Sequence, residues 1–261
     1  MNQDFLSQIQ KEFSRNASLE KKKNYEKYFK GVIKFYGLRN PEVKEIFQKF
    51  WGEIKNLSIH EQKNLTFELI SSEYAEEKQF AILILNKIAN KIDTNVIHEL
   101  AKIIDHHVYD WATCDGISGR VIRHLILRDP NVAKEVVSWK DAESLWRQRS
   151  AAISFVNIAR FGKYNQEILE ICSEILKNPE RFVQLAAGWV LRELSLADLD
   201  LVVDFIKKNY HYFSREGLRY AVEKMDGKLK KKLLDWKKFD AKSFLRGNIA
   251  LEKNLTRAQK Y

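Results

Sequence analysis

Trp111 and Asp115 stand four residues apart. On a helix that spacing projects both side chains from one face and sets a carboxylate beside an aromatic plate. Tryptophan is more commonly core, and an aspartate inside a helix is more commonly solvated. Here the aspartate is followed directly by Gly116, a small residue of the kind that packs against a neighbouring helix, which would bring the carboxylate to an inner wall. Arginines occupy comparable places. Arg149 lies two residues before the small residue Ala151, and Arg192 follows Trp189 by three and so shares its face. Both arginines would then face a surface or a groove, and a surface salt bridge is the plain alternative.

Other chemistry-bearing residues lack the company they would need. His106 and His107 follow Asp105, but neighbouring histidines point different ways on a helix and no Cys or His stands at ligand spacing. No metal is expected. Cys114 has no histidine at helical spacing to activate it as a nucleophile, and no glycine-rich loop is present to cradle a phosphate. No cofactor is expected either.

The elements that would position these residues read as helices. With 45% hydrophobic and 31% charged residues the chain has the balance of a globular protein, and only 10 Gly and 3 Pro favour long helices with short connections over many strands. Phe80, Ile84, Leu85 and Ile88 form one apolar stripe at helical spacing, and Trp189, Leu191 and Leu194 join another. Asn40-Pro41, Asp129-Pro130 and Asn178-Pro179 each read as a helix start, a capping residue ahead of a proline. Small residues recur at Ala81, Gly116, Ala151, Ala186 and Gly217, at intervals of 35, 35, 35 and 31. A small side chain at a fixed point lets stacked helices approach, and such periods belong to helical-pair solenoids. The residues two before each small position (Gln79, Cys114, Arg149, Gln184 and Arg215) are mainly polar, which predicts a column facing a surface or groove. The expected fold is all-α: helical-pair repeats in a curved α-solenoid with a concave groove. Such a groove suits an extended partner, and architecture alone does not choose between a nucleic acid and a peptide.

Charge narrows the partners without settling them. The formal net charge is +10. Residues 228–261 hold eleven Lys/Arg against three Asp/Glu, which leaves a surplus of only two on the first 227. A polyanion fits, since Lys and Arg gain affinity by displacing counterions from phosphate. Two domains of different character are expected, a repeat domain over 1–227 and a basic helix or tail over 228–261. Leu229, Leu233, Leu234 and Trp236 would give a helix over 228–240 an apolar side. No apolar run approaches the ~18 residues of a membrane span, so no membrane partner is expected. No secretory signal is visible, two cysteines make no disulfide framework, and the expected address is the cytoplasm.

Three stretches carry a family resemblance: Asp110-Trp111-Ala112-Thr113-Cys114-Asp115, Leu145 through Ile153 around Arg149, and Ala187-Gly188-Trp189-Val190-Leu191-Arg192-Glu193. Together with Tyr28-Phe29-Lys30 and Gly37-Leu38-Arg39-Asn40-Pro41-Glu42, they resemble the AlkD family of HEAT-like-repeat DNA glycosylases. Where that family often shows Pro-x-x-Arg, this chain has Pro41-Glu42-Val43-Lys44. The resemblance implies Asp115 as the catalytic carboxylate, with Trp111 and Trp189 flanking the sugar and backbone of the lesion nucleotide. It implies Arg149 at a phosphate near the lesion, Arg192 supporting the site or the backbone, and Tyr28 as an N-terminal aromatic near the DNA. The implied partner is double-stranded DNA containing alkylated purines, bound by a monomer. N3- or N7-alkylation leaves the purine cationic and already a good leaving group. One carboxylate facing the oxocarbenium-like sugar would therefore suffice.

Overall fold

The structure is a computed structural model that describes residues 2–236. Among these, every regular element is helical, and a single parallel bridge joins Lys34 to Tyr74. The chain divides into two compact units between residues 158 and 159.

The first unit runs through α1 (Asn2–Arg15), α2 (Leu19–Tyr28), α3 (Asn40–Ile54), α4 (Ile59–Ile70), α5 (Ala75–Ile88), α6 (Val96–His107), α7 (Trp111–Ile117), α8 (Arg123–Arg128), α9 (Pro130–Ser138) and α10 (Leu145–Ile153). A short turn, α11 (Val156–Ala159), crosses the boundary. The second unit holds α12 (Asn165–Ile175), α13 (Arg181–Leu194), α14 (Leu199–Asn209), α15 (Arg215–Ala221) and α16 (Gly227–Leu234). Hydroxyl and carboxylate caps start many of them. Ser58, Asp110, Asp129, Ser144, Asp198 and Ser214 each accept a hydrogen bond from a backbone N–H of the first turn, where helical donors otherwise have no partner.

The helix starts expected at the three prolines are met to different degrees. α9 begins at Pro130 behind the cap Asp129. α3 takes in Asn40 as well as Pro41, with Arg39 as its cap. α13 begins only at Arg181, because the Asn178 side chain accepts from the Glu180 N–H and holds the segment as a turn.

The small residues fall where the repeat places them, on the second helix of successive pairs: Ala81 in α5, Gly116 in α7, Ala151 in α10, Ala186 in α13 and Gly217 in α15. In the first unit α5 packs on α7 and α7 on α10; in the second α13 packs on α15. α13 and α15 approach closely at Gly188, where a Cβ would stand 2.5 Å from the Gly217 carbonyl oxygen.

The polar column does not form the open face its composition suggested. Cys114, Arg149 and Gln184 are buried, and only Arg215 is exposed among these four. Burial is tolerated because each meets a polar partner: the Cys114 thiol the Trp146 carbonyl, and the Arg149 guanidinium the Asp115 carboxylate. The Gln184 amide donates to the carbonyls of Leu176, Asn178 and Tyr212, helix-end groups that no intrahelical N–H can reach, and it accepts from the Ser214 N–H. Lys78 performs the same task in the first unit. Fully buried, it donates to the carbonyls of Ile70 and His107 at 2.6 and 2.7 Å. α16 starts at Gly227 behind the cap Asp226 and buries Leu233. The remainder of the helix expected over 228–240, from residue 237 on, lies outside the described residues, as does the tail to 261.

Candidate active site

α7 is short, and its first turn is fixed from below. One Asp110 oxygen accepts from the Thr113 N–H at 2.9 Å and the other from the Thr113 hydroxyl at 2.7 Å. This makes Trp111 the first helical residue and places Asp115 one turn later. Both oxygens of Asp110 are thereby engaged within the cap. Gly116 brings the helix against Ile82 of α5, since a Cβ there would stand 2.7 Å from the Ile82 Cδ1. The Cys114 thiol is buried, donates toward the Trp146 carbonyl and is pushed up by its burial, all of which fits packing rather than a nucleophile.

After Ser118 the helix does not stop. Residues Ser118–Ile122 form a π-turn in which the Arg123 N–H reaches the Ser118 carbonyl five residues back, and the helix resumes as α8. One extra residue in a turn rotates everything after it, so the faces before and after the bulge are uncoupled. The Ser118 hydroxyl donates to the Cys114 carbonyl, and its oxygen lies 2.7 Å from the Ser150 hydroxyl, which ties α7 to α10 one turn past Asp115.

α10 supplies Arg149. Its start is held by the Ser144 cap, by the Gln148 amide on the Ala142 carbonyl, and by an ion pair from Arg147 to Asp105 of α6. Arg149 then meets Asp115 in a bidentate pair, Nε to Oδ1 at 2.8 Å and Nη2 to Oδ2 at 2.9 Å. The Arg149 side chain is 6% exposed and that of Asp115 is 17%. Burial pushes the Asp115 carboxyl above its usual value, and the paired guanidinium only partly offsets this. The Trp111 indole is half-buried and stacks on Phe29 with ring centroids 5.9 Å apart and planes 16° from parallel. Tyr28, the last residue of α2, is 68% exposed and meets Phe29 edge-on. The structure therefore brings Trp111, Asp115, Arg149 and the Tyr28 segment together within the first unit.

The other two expected residues belong to the second unit. Trp189 is half-buried rather than core, tilted against Tyr220 at 6.2 Å. The Arg192 guanidinium lies 5.9 Å from the Trp189 ring and 4.7 Å from that of Tyr220, and it is ion-paired with Glu193 and Glu223. Glu193 also takes Arg160 and Lys224, each at 2.8 Å. Among the described residues no group of three or more His, Cys, Asp or Glu could hold a metal ion.

Phe29 and Glu193 were given no role by spacing. Glu193 had a visible signal, four residues after Trp189 as Asp115 is after Trp111. Phe29 had none, because its partner lies 82 positions along the chain.

The family described as DNA alkylation repair enzyme matches residues 9–225. This chain belongs to that family. The matched span contains all six expected site residues and ends two residues before α16 begins. A solved structure described as "Predicted DNA alkylation repair enzyme from Enterococcus faecalis" is similar at a TM-score of 0.74 and 15% identity, covering 81% of this chain and 97% of that one. At that identity the likeness concerns the fold. No curated protein sequence matches the chain. In this family member an acid on α7 pairs with a guanidinium on α10, and the indole of Trp111 opens the same helix as the acid; no helix among its described residues is long and apolar enough to cross a membrane.

Proposed function

We propose that this protein is a DNA glycosylase that excises positively charged N3- and N7-alkylpurines, such as 3-methyladenine and 7-methylguanine, from duplex DNA. The observation that carries this reading is the Asp115–Arg149 pair: a carboxylate held in one orientation by two parallel hydrogen bonds, largely withdrawn from water, with part of its side chain still accessible. In such surroundings a fixed negative charge acts more strongly than it would in solvent.

The chemistry needs no second acid. The bond between C1′ and the alkylated purine breaks with its electron pair passing to the base, which leaves neutral. Positive charge develops on the deoxyribose and is stabilised by Asp115. Water adds to C1′ and gives up a proton, completing hydrolysis. Trp111 packs on the nucleotide, and its electron-rich face attracts cationic character by about 0.5–2 kcal/mol. Arg149 orients the acid and contacts the neighbouring phosphate, Tyr28 lies near the DNA, and Trp189 and Arg192 are DNA contacts of the second unit. In this reading residues 1–227 form the catalytic repeat domain, the basic 228–261 segment adds phosphate attraction, and the protein works as a cytoplasmic monomer.

Single-turnover release from methylated duplex DNA, by wild type and Asp115→Asn, tests the assignment. The wild type should release both purines. The variant should bind equally well and release them at least ~100-fold more slowly. Full release by the variant overturns the role of Asp115. Efficient release of the neutral 1,N6-ethenoadenine without 7-methylguanine overturns the lesion class.

A further inference from the structure

Trp111 is the first residue of α7, so no preceding helical turn flanks its side chain. Its indole must be held from elsewhere in the molecule. The holder is Phe29, which caps the C-terminus of α2 and lays its ring almost parallel to the indole at an offset-stacked distance.

Phe29 is itself braced on both sides. On the backbone, α2 ends in a Schellman arrangement, with the Lys30 N–H on the Lys27 carbonyl at 3.2 Å and the Gly31 N–H on the Glu26 carbonyl at 2.8 Å. Lys30, at φ +53°, stands where glycine is usual, and Gly31 follows at φ +72°. The left-handed turn directly after Phe29 thus fixes the direction of the chain at the ring. On the side-chain level, Phe29 leans on Phe35 at 5.2 Å, and Phe35 in turn meets Tyr25 at 5.4 Å. Phe35 is buried and anchored through its neighbours. The buried Glu76 carboxylate accepts the N–H groups of Tyr36, Gly37 and Leu38 at 3.1, 2.9 and 3.0 Å, and Lys34 bridges to Tyr74. Glu76 of α5 thus fixes the backbone directly after Phe35, and ring contacts run from Phe35 through Phe29 to Trp111.

We propose that Phe29 is a positioning residue that sets the angle of the Trp111 indole beside Asp115, so that the N-terminal helices help to build the site rather than merely flank it. This rests on the glycosylase reading only for its effect on catalysis; the effect on the indole is independent of it. Phe29 covers one indole face with an uncharged ring, which leaves the acid-side geometry of Trp111 dependent on that stack.

The test uses the full chain and three substitutions. Phe29→Ala removes the ring, Phe29→Leu keeps apolar volume without a ring, and Phe29→Tyr keeps the ring. The emission of each variant is differenced against the same variant carrying Trp111→Phe, which isolates one of the six tryptophans. Phe29→Ala and Phe29→Leu should make Trp111 more open to acrylamide quenching and slow single-turnover base release by about tenfold with duplex affinity unchanged. Phe29→Tyr should restore both. Should Phe29→Ala fail to fold, Phe29→Leu gives the decision by the same two readouts. Unaltered quenching of Trp111 in Phe29→Leu, or undiminished base release by that variant where the wild type is active, overturns the proposal. Increased quenching in a protein whose wild type releases no base upholds the positioning and overturns the glycosylase reading instead.

Discussion

In the first unit Trp111 precedes Asp115 by four residues; in the second Trp189 precedes Glu193 by the same interval, and both acids face arginines. What surrounds each acid separates them. Asp115 has one paired guanidinium, and burial outweighs it and raises the carboxyl. Burial works the same way on Glu193, but Lys224, Arg160 and Arg192 together outweigh it and hold that carboxyl below the usual range. The indoles differ in parallel. Trp111 carries an uncharged ring on its face, whereas Trp189 has the Arg192 guanidinium near its own. A cation already on an indole weakens its attraction for a second one. Equal spacing thus yields a buried acid with one paired cation in one place and a hub for three cations in the other.

The largest effect that would break this comparison is on stability. Glu193→Gln removes the charge shared by three cations, of which Arg192 is the most buried. The expected loss is about 2–3 kcal/mol, allowing for the water around Arg160 and Lys224. It should appear as a lowered midpoint in thermal unfolding, with base release at permissive temperature retained. A release defect matching that of Asp115→Asn, with no loss of stability, would mean that the two acids had been assigned the wrong way round.

A smaller effect concerns the glycines beside the two sites. A Cβ on Gly188 meets the Gly217 carbonyl oxygen at 2.5 Å and the Tyr220 Cβ at 3.0 Å, so α13 and α15 must part. Gly188→Ala should lose roughly 1–3 kcal/mol. A Cβ on Gly116 meets the Ile82 Cδ1 at 2.7 Å, the far end of a side chain that can turn aside. The better helix propensity of alanine, worth up to about 1 kcal/mol, offsets part of that adjustment. Thermal melts of the two variants should differ clearly, and equal losses would show that the first unit is packed as rigidly as the second.

Much of this was legible in the chain because it is local. Trp111 and Asp115 share a face through helical spacing alone, and the 35-residue recurrence of small residues located the second helices. Arg149 was visible as a polar residue beside a small one, but its burial against Asp115 was not, since that depends on how α7 and α10 lie together across 34 positions. The polar column misled for the same reason: polarity signals a need for partners, and helix-end carbonyls satisfy it as well as water does. The π-turn at Ser118–Ile122 and the stack of Phe29 on Trp111 left no pattern to find. One is a local backbone shift without a residue signature, and the other joins segments 82 positions apart.

The finest distinction between the two acids lies in the sign of their response to pH. In the proposed reaction Asp115 acts as an anion, and its folded carboxyl lies above the usual 3.8. Release should therefore fall as pH drops through a value higher than 3.8, and Arg149→Gln should move that limb further up by leaving burial unopposed. In stability Asp115 contributes unfavourably while ionised, and the penalty is relieved as pH falls through its raised folded value. Glu193 runs the other way. Its folded carboxyl lies below the usual 4.5, so its stabilisation is present above 4.5 and disappears as pH falls through the lowered value. Hence the stability gap between wild type and Glu193→Gln should be widest near neutral pH and close in acid. A gap that persisted unchanged to low pH would show that packing around Glu193, and not its charge, holds the three cations in place.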